Sequence, residues 1–338
     1  ERGMKTIRDI AKEAGVSVST VSRVLNNSGY CSSETRMKVE RAAVDYYPNI
    51  IAQEMVKGSS KVIGVMVSHT AEYFFQNPFY SEVLLGICDA LKEKQYRLLL
   101  LMNEKKEDLV KLFYHRQIEG LLLMSAKMDD NMLEYLQEKK LRFVLIGDYH
   151  ECSLPIVKVD IDNEKYAYEA VSYLVGIGHK RIGYISGPLS NGACYTRMQG
   201  YRRALEDCGI QVKEEYIQIC DSGTEREALN AAKKLLYMPE RVTAVFGFND
   251  TVAISVYKAA EDLGLSVPED ISVVGFDDSK IASYVSPTLT TVSQPSYEKG
   301  YGAAQVLLDI VENENVTKPL PALSCYMVFR KSCVPPKS

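Results

Sequence analysis

Residues 7–26 read IRDIAKEAGVSVSTVSRVLN. Ile7, Ile10, Ala11 and Ala14 recur at helical spacing, and Gly15 supplies the residue that enters the left-handed region, ends a helix and turns the chain. Ser17 stands where a hydroxyl caps the start of a second helix. In that second piece Val21, Val24 and Leu25 form an i, i+3, i+4 stripe predicted to pack inward, which leaves Ser19, Thr20, Ser22 and Arg23 facing out. A face this small and polar fits a DNA major groove. The same helix–glycine–helix pattern also describes an ordinary helical hairpin at the edge of a larger fold.

The next segment shifts the balance towards a separate headpiece. Residues 34–47 read as a third amphipathic helix with Val39, Ala42, Ala43 and Tyr46 on one side, broken by Pro48. Residues 49–56 form one short apolar-rich helical stretch, and 57–61 read as a linker. Charge divides in the same way. Residues 1–61 hold ten Lys+Arg against seven Asp+Glu within a formal net charge of −4, so the head carries about +3 and the remainder about −7. A positive head lowers the cost of approaching phosphates. Three charges is a weak excess, and useful binding is expected to need two heads on a palindromic site.

From about Met4 to the C-terminus the chain resembles the lactose and galactose repressor (LacI/GalR) family of transcription regulators. The resemblance is carried by TIRDIAKEAGVSVSTVSRVLN, by the following Tyr47-Pro48-Asn49 with its short helix, and by the two-lobed domain after it. It implies a helix-turn-helix headpiece over 4–47, a hinge helix and linker over 48–60, and an effector-binding and dimerisation domain over 61–338. It also implies a cytoplasmic homodimer that binds double-stranded operator DNA and is regulated by a small molecule. The DNA-contacting residues it implies are Thr6, Ser17, Val18, Ser19, Thr20, Ser22, Arg23 and Asn26, with Asn49, Ala52 and Met55 in the hinge. Arg23 is expected to hydrogen-bond a base edge, guanine first, while Val18 and Ser19 read a feature such as a thymine methyl. The hinge departs from the family's usual Ala-Arg-Ser-Leu, reading Ala52-Gln53-Glu54-Met55. Met55 thereby inherits the minor-groove wedge.

Beyond Lys61, β-rich runs alternate with helical stretches, the pattern of an α/β fold with a doubly wound parallel sheet, here in two lobes resembling periplasmic binding proteins. Lobe 1 is assigned about 61–161 plus 293–325, and lobe 2 about 162–292. Expected strands are 62–67, 97–102, 120–124, 143–146, 181–185, 244–248 and 272–276, with a helix over about 79–94. Ligands of such sheets bind in the crevice at the carboxyl ends of the strands. By resemblance, Phe79, Tyr80 and Phe248 wall that cleft, Arg197 clamps the ligand, Asn249 after Phe248 and Asp277 after Phe276 point inward, and Gln294 and Asp148 add polar contacts. Aromatic walls with Arg, Asn, Asp and Gln suit a polyhydroxylated ring. Packing of one of the two aromatics on the sheet is the plainer alternative. Asp250 and Asp278 are expected to serve instead as N-caps or first-turn carboxylates.

Composition bounds the chemistry. With 338 residues, 46% hydrophobic and 25% charged, the chain is long enough for two or three compact units. The apolar run 98–102 falls far short of the ~20 residues needed to span a bilayer, and nothing like a secretion signal precedes Met4, so no membrane association is expected. Glu1-Arg2-Gly3 reads as an expression remnant or an unusual native start. The eight cysteines show neither zinc spacing nor a disulfide framework and are expected as buried thiols. No metal and no cofactor is expected. Asp160-Ile161-Asp162-Asn163 lacks the glycine and distal glutamate of a calcium loop. The adjacent Asp277 and Asp278 should diverge after a strand rather than flank one bond, and none of the four histidines sits in a catalytic pattern, so no enzyme is expected. The expected effector is a sugar, α-glucosides first, because several segments are similar to maltose-type and ribose-type regulators. A nucleobase corepressor, a sugar phosphate and a phosphoprotein partner remain the alternatives. A sugar would loosen DNA binding, and a corepressor would tighten it.

Overall fold

The computed structural model describes residues 5–44, 46, 59–124, 131–148, 155–221, 224–313 and 322–337. The hinge residues Asn49, Ala52 and Met55 lie outside the described residues. The chain divides into two compact units, Glu1–Ser60 and Lys61–Ser338.

In the first unit, α1 (Ile7–Ala14) is capped by Thr6, whose side chain accepts the Asp9 amide while the Asp9 carboxylate accepts the Thr6 amide. Gly15 closes α1 at φ +66°, its amide donating to the Ala11 carbonyl. Ser17 caps α2 (Val18–Leu25) by accepting the Thr20 amide, and Ser32 caps α3 (Ser33–Ala42). The core is Ile10, Ala11, Val21, Val24, Val39 and Ala42. Two expectations are corrected. Leu25 is exposed, because Val21 and Val24 already fill the space towards α1 and α3 and Leu25 lies about 100° further round the helix. The third helix stops at Ala42 instead of 47, where the next residue on its path, Val44, is exposed and gives the helix nothing to bury. Tyr46 still packs on the headpiece core.

The second unit runs β1 (Val62–Val67), α4 (Ala71–Gln76), α5 (Pro78–Glu93), β2 (Arg97–Met102), α6 (Lys106–Tyr114), β3 (Gly120–Met124), α7 (Met132–Glu138), β4 (Phe143–Ile146) and β5 (Lys158–Val159). It continues with α8 (Asn163–Gly176), β6 (Ile182–Ser186), α9 (Gly192–Asp207), β7 (Ile217–Ile219), α10 (Glu225–Tyr237), β8 (Ala244–Gly247), α11 (Asp250–Asp262) and β9 (Ser272–Asp277). The last elements are α12 (Lys280–Tyr284), β10 (Thr290–Ser293), α13 (Ser296–Asn313) and β11 (Tyr326–Val328). One sheet has the order β2-β1-β3-β4-β5, the other β11-β10-β9-β8-β6-β7. All pairs are parallel except β10 with β11.

Both faces of each sheet are covered, which is why the strands read as unbroken apolar runs. In β1, Ile63, Val65 and Val67 pack towards Val83, Ile87 and Leu307, while Met66 joins the cluster of Leu109, Leu133 and Leu136. The chain crosses from the first lobe to the second after β5, returns between β10 and α13, and crosses again to β11. The C-terminal stretch therefore belongs to the second lobe. There the ring of the buried His179 bridges the Thr243 hydroxyl and the Val334 carbonyl. No helix among the described residues is long and apolar enough to cross a membrane. The seven described cysteines are unbridged, and Cys88 and Cys208 are exposed where burial was expected.

Candidate functional site

On the headpiece, the outward side of α2 presents Val18 at 44% exposure together with exposed Ser19, Arg23 and Asn26. Val18 flanks the buried stripe of Val21 and Val24 and is not among the residues of the headpiece core. The other hydroxyls are partly spent on local structure. Ser17 Oγ meets Ser19 Oγ at 2.7 Å and Thr20 Oγ1 at 2.8 Å, and the Asn26 amide donates to Ser22 Oγ at 3.2 Å. Thr6 is held in its capping box, with its hydroxyl donating to Asp9 at 2.6 Å. The helix start is thus a rigid hydroxyl cluster, and Arg23 extends from its last turn.

In the second unit, a narrow cavity with about 50 Å³ of free space lies between the lobes at the carboxyl ends of the strands. Phe79, Tyr80, Arg197, Phe248, Asn249, Asp277 and Gln294 all line it. Asp148 does not. It pairs with Lys158 at 2.5 Å, and its neighbours Ile146 and Gly147 line the cavity instead. Tyr80 is buried at the start of α5, packed against Tyr73, Phe74, Phe79 and His69. Asn77 caps α5, Asn191 caps α9 and Asn249 caps α11, so three cavity-lining asparagines owe their positions to helix starts.

Arg197 is 5% exposed and lies flat on the Phe276 ring, 3.5 Å from its centroid. Its Nε donates to Asn163 Oδ1 at 3.0 Å, and its Nη1 donates to the Phe248 carbonyl and stands 3.8 Å from Asp277. Asp277 ends β9 at φ +115°, a region that non-glycine residues avoid, followed by Asp278 at +54°. Such strain costs about 1–3 kcal/mol and persists only where the surroundings hold the residue in place. Here the Gln294 amide donates to Asp277 at 2.5 Å. Burial pushes the Asp277 carboxyl up, against the opposing pull of Arg197, Gln294 and Lys299. Burial likewise holds the Cys194 thiol high, at about 12, so this lining sulfur stays protonated.

Asp250 stands in the first turn of its helix, one of its two expected places, whereas Asp278 caps no helix. Asn249, not Asp250, caps α11. The Asp250 carboxylate reaches across to accept from the Ser279 amide at 2.7 Å, the Ser279 hydroxyl at 2.8 Å and the Thr291 hydroxyl at 2.5 Å, tying β8, β9 and β10 together beneath the cavity. Asp278 pairs with Arg330 at 2.6 Å. Asp250 thus serves the start of α12 as well as β10, and Asp278 is drawn to the charged donor of Arg330.

Among the further lining residues that the sequence did not assign to the site are Tyr73, Asp160, Asn163 and Lys299. Asp160 and Asn163 drew notice only as a calcium pattern. Lys299 carried a legible sign, a charge on the apolar stripe that α13 forms with Gly300, Ala303 and Leu307.

Comparisons with known proteins find matches in both units. Residues 6–49 match the model for bacterial regulatory proteins of the lacI family, and 152–333 match a periplasmic binding protein-like domain. The HTH-type transcriptional repressor CytR of Escherichia coli (strain K12) is 35% identical over 334 residues, covering 97% of this chain and 96% of CytR. A transcriptional regulator CelR–cellobiose complex is 32% identical with TM-score 0.74, covering 97% of this chain and 99% of that one. The lac repressor dimer bound to operator and the anti-inducer ONPF is 26% identical with TM-score 0.84, covering 98% and 100%.

Proposed function

This chain is a member of the LacI family of bacterial regulatory proteins, a DNA-binding transcriptional repressor with an effector-binding domain, and we propose that it acts as a homodimer on a palindromic operator and is released by a sugar held between its lobes. The observation that carries the DNA half is the open face of α2, where Val18, Ser19, Arg23 and Asn26 stand opposite a fully packed core. Arg23 is assigned a guanine edge, and Val18 with Ser19 a thymine methyl. The lac repressor dimer bound to operator supports the reading of a dimer on operator DNA. Asn49, Ala52 and Met55 enter through the sequence resemblance, with Met55 as the minor-groove wedge.

The effector half rests on aromatic walls, Phe79, Tyr80 and Phe248, surrounding the planar fork of Arg197 and the carboxylate of Asp277. Fork and carboxylate suit adjacent hydroxyl pairs, and the walls suit the C–H face of a sugar. The cellobiose held by CelR supports this class. The site binds rather than catalyses: the Asp250 and Asp277 carboxylates are engaged with Ser279, Thr291 and Gln294. The same walls would also stack a nucleobase, and the sign of the ligand's effect on DNA binding separates the two readings.

Fluorescence anisotropy on a palindrome selected from random duplexes tests the DNA half. Arg23→Ala is expected to cost about 1–3 kcal/mol and to relax preference at one base pair of each half-site. Unchanged affinity and preference would remove α2 from the groove.

A further inference from the structure

Six buried side chains around the cleft close into a ring. Lys299 Nζ donates to Asp160 Oδ1 at 2.7 Å and to Gln294 Oε1 at 3.0 Å. The Gln294 amide donates to Asp277 at 2.5 Å, and Asp277 faces Arg197 at 3.8 Å. Arg197 donates to Asn163 at 3.0 Å, and the Asn163 amide returns to Asp160 Oδ2 at 2.9 Å. Lys299 and Asp160 are 3% and 8% exposed at their side chains. The members come from both lobes and from the crossings between them: Lys299 from α13, Asp160 and Gln294 from crossing segments, Asn163, Arg197 and Asp277 from α8, α9 and β9.

Two cations and two carboxylates sum to zero, and among the described lining residues no third cation faces the cavity. An incoming phosphate would find both cations committed and two carboxylates beside them, with no counter-charge to offset its desolvation. Hydroxyls, which both donate and accept, can exchange hydrogen bonds along the ring without disturbing its charge. We propose that the effector of this cleft is uncharged, and that Asp160 is the residue that enforces this by committing the charge of Lys299. This rests on the cleft being the effector site. Lys299 alone would be a buried point charge with three donors, a ready anion trap. Asp160 closes that trap from inside the protein and consumes both of its own oxygens in doing so.

Thermal unfolding of the full chain tests the assignment, using glucose against glucose 6-phosphate, cellobiose against its phosphate, and inorganic phosphate alone. The wild type is expected to gain nothing from any phosphate. Asp160→Asn keeps the shape and one acceptor but removes the charge that commits Lys299, giving up the bond accepted from Asn163, so apparent affinity for inorganic phosphate should rise by about tenfold or more. Adding Lys299→Met to Asp160→Asn should abolish that gain. Stabilisation of the wild type by a phosphate, lost in Lys299→Met, overturns the proposal, and so does a folded Asp160→Asn protein with no phosphate gain. If Asp160→Asn does not fold, the paired ligands on the wild type decide. Should no uncharged ligand release DNA while Asp160→Asn still gains phosphate, the effector reading fails and the charge assignment stands. A sugar that binds while Asp160→Asn gains nothing gives the converse.

Discussion

Arg197 does three things at once: it covers Phe276, fixes Asn163 and the Phe248 carbonyl, and faces the strained Asp277. Arg197→Ala therefore leaves a buried carboxylate facing a void, and denaturant unfolding of the effector unit should show a loss of about 3–5 kcal/mol. Arg197→Lys should recover little, since a point charge neither stacks nor forks. Beneath it, burial raises both the Asp250 and the Asp277 carboxyls, with the charge of Asp277 adding to the effect on Asp250. A carboxyl raised in the folded state contributes stability that is complete below its unfolded value and is lost as pH climbs through the folded one. The effector unit should accordingly unfold at lower denaturant at about pH 9 than at about pH 5, and Asp250→Asn should flatten that slope. An unchanged slope in the variant would place the titration elsewhere. At this scale Arg197, Asp277 and Gln294 were legible through the resemblance of their flanking segments to the family, with Asp277 also marked by its place at the end of β9. Lys299 and Asp160 were not assigned, because their role depends on each other across 139 positions of sequence.

The helices owe as much to backbone approach as to apolar stripes. A Cβ on Gly300 would stand 2.0 Å from the Val83 carbonyl oxygen, and one on Gly86 would stand 2.1 Å from that of Tyr297. Helices α5 and α13 thus cross backbone to backbone, and this contact closes the first lobe over its sheet. Gly300→Ala must force them apart, for an expected loss of about 1–3 kcal/mol in urea unfolding. Gly176, at the end of α8, has open space around its missing side chain, so Gly176→Ala should be neutral or stabilise by up to about 1 kcal/mol. Equal effects at the two sites would contradict the close crossing. Element positions were largely readable: β1, β2, β3 and β4 fall where the apolar runs predicted them. The short β5, β7, β10 and β11 were missed, since two to four residues carry little periodicity and are strands only because a neighbour pairs with them.

The molecule has a core of six buried residues in Glu1–Ser60 and separate, larger cores in Lys61–Ser338. A unit of about 60 residues is marginal on its own, so calorimetry should show two transitions, the smaller at lower temperature. Deleting Glu1–Ser60 should leave the upper transition in place, and a cleft ligand should move the upper one alone. A single transition that vanishes on deletion would mean that the two cores are not independent. Hydrophobic period, the Gly15 turn and the capping hydroxyls determined, from sequence by itself, the headpiece and the two-lobed α/β plan, because these are set by contacts within a few residues, while the family resemblance supplied part of the cleft wall. The tertiary structure alone decided where α3 ends, that Leu25 stays outside, that Asp250 ties three strands instead of capping a helix, and that Lys299 and Asp160 cancel within a closed ring. Each of those depends on which distant group arrives within about 3 Å, and no local pattern encodes that arrival.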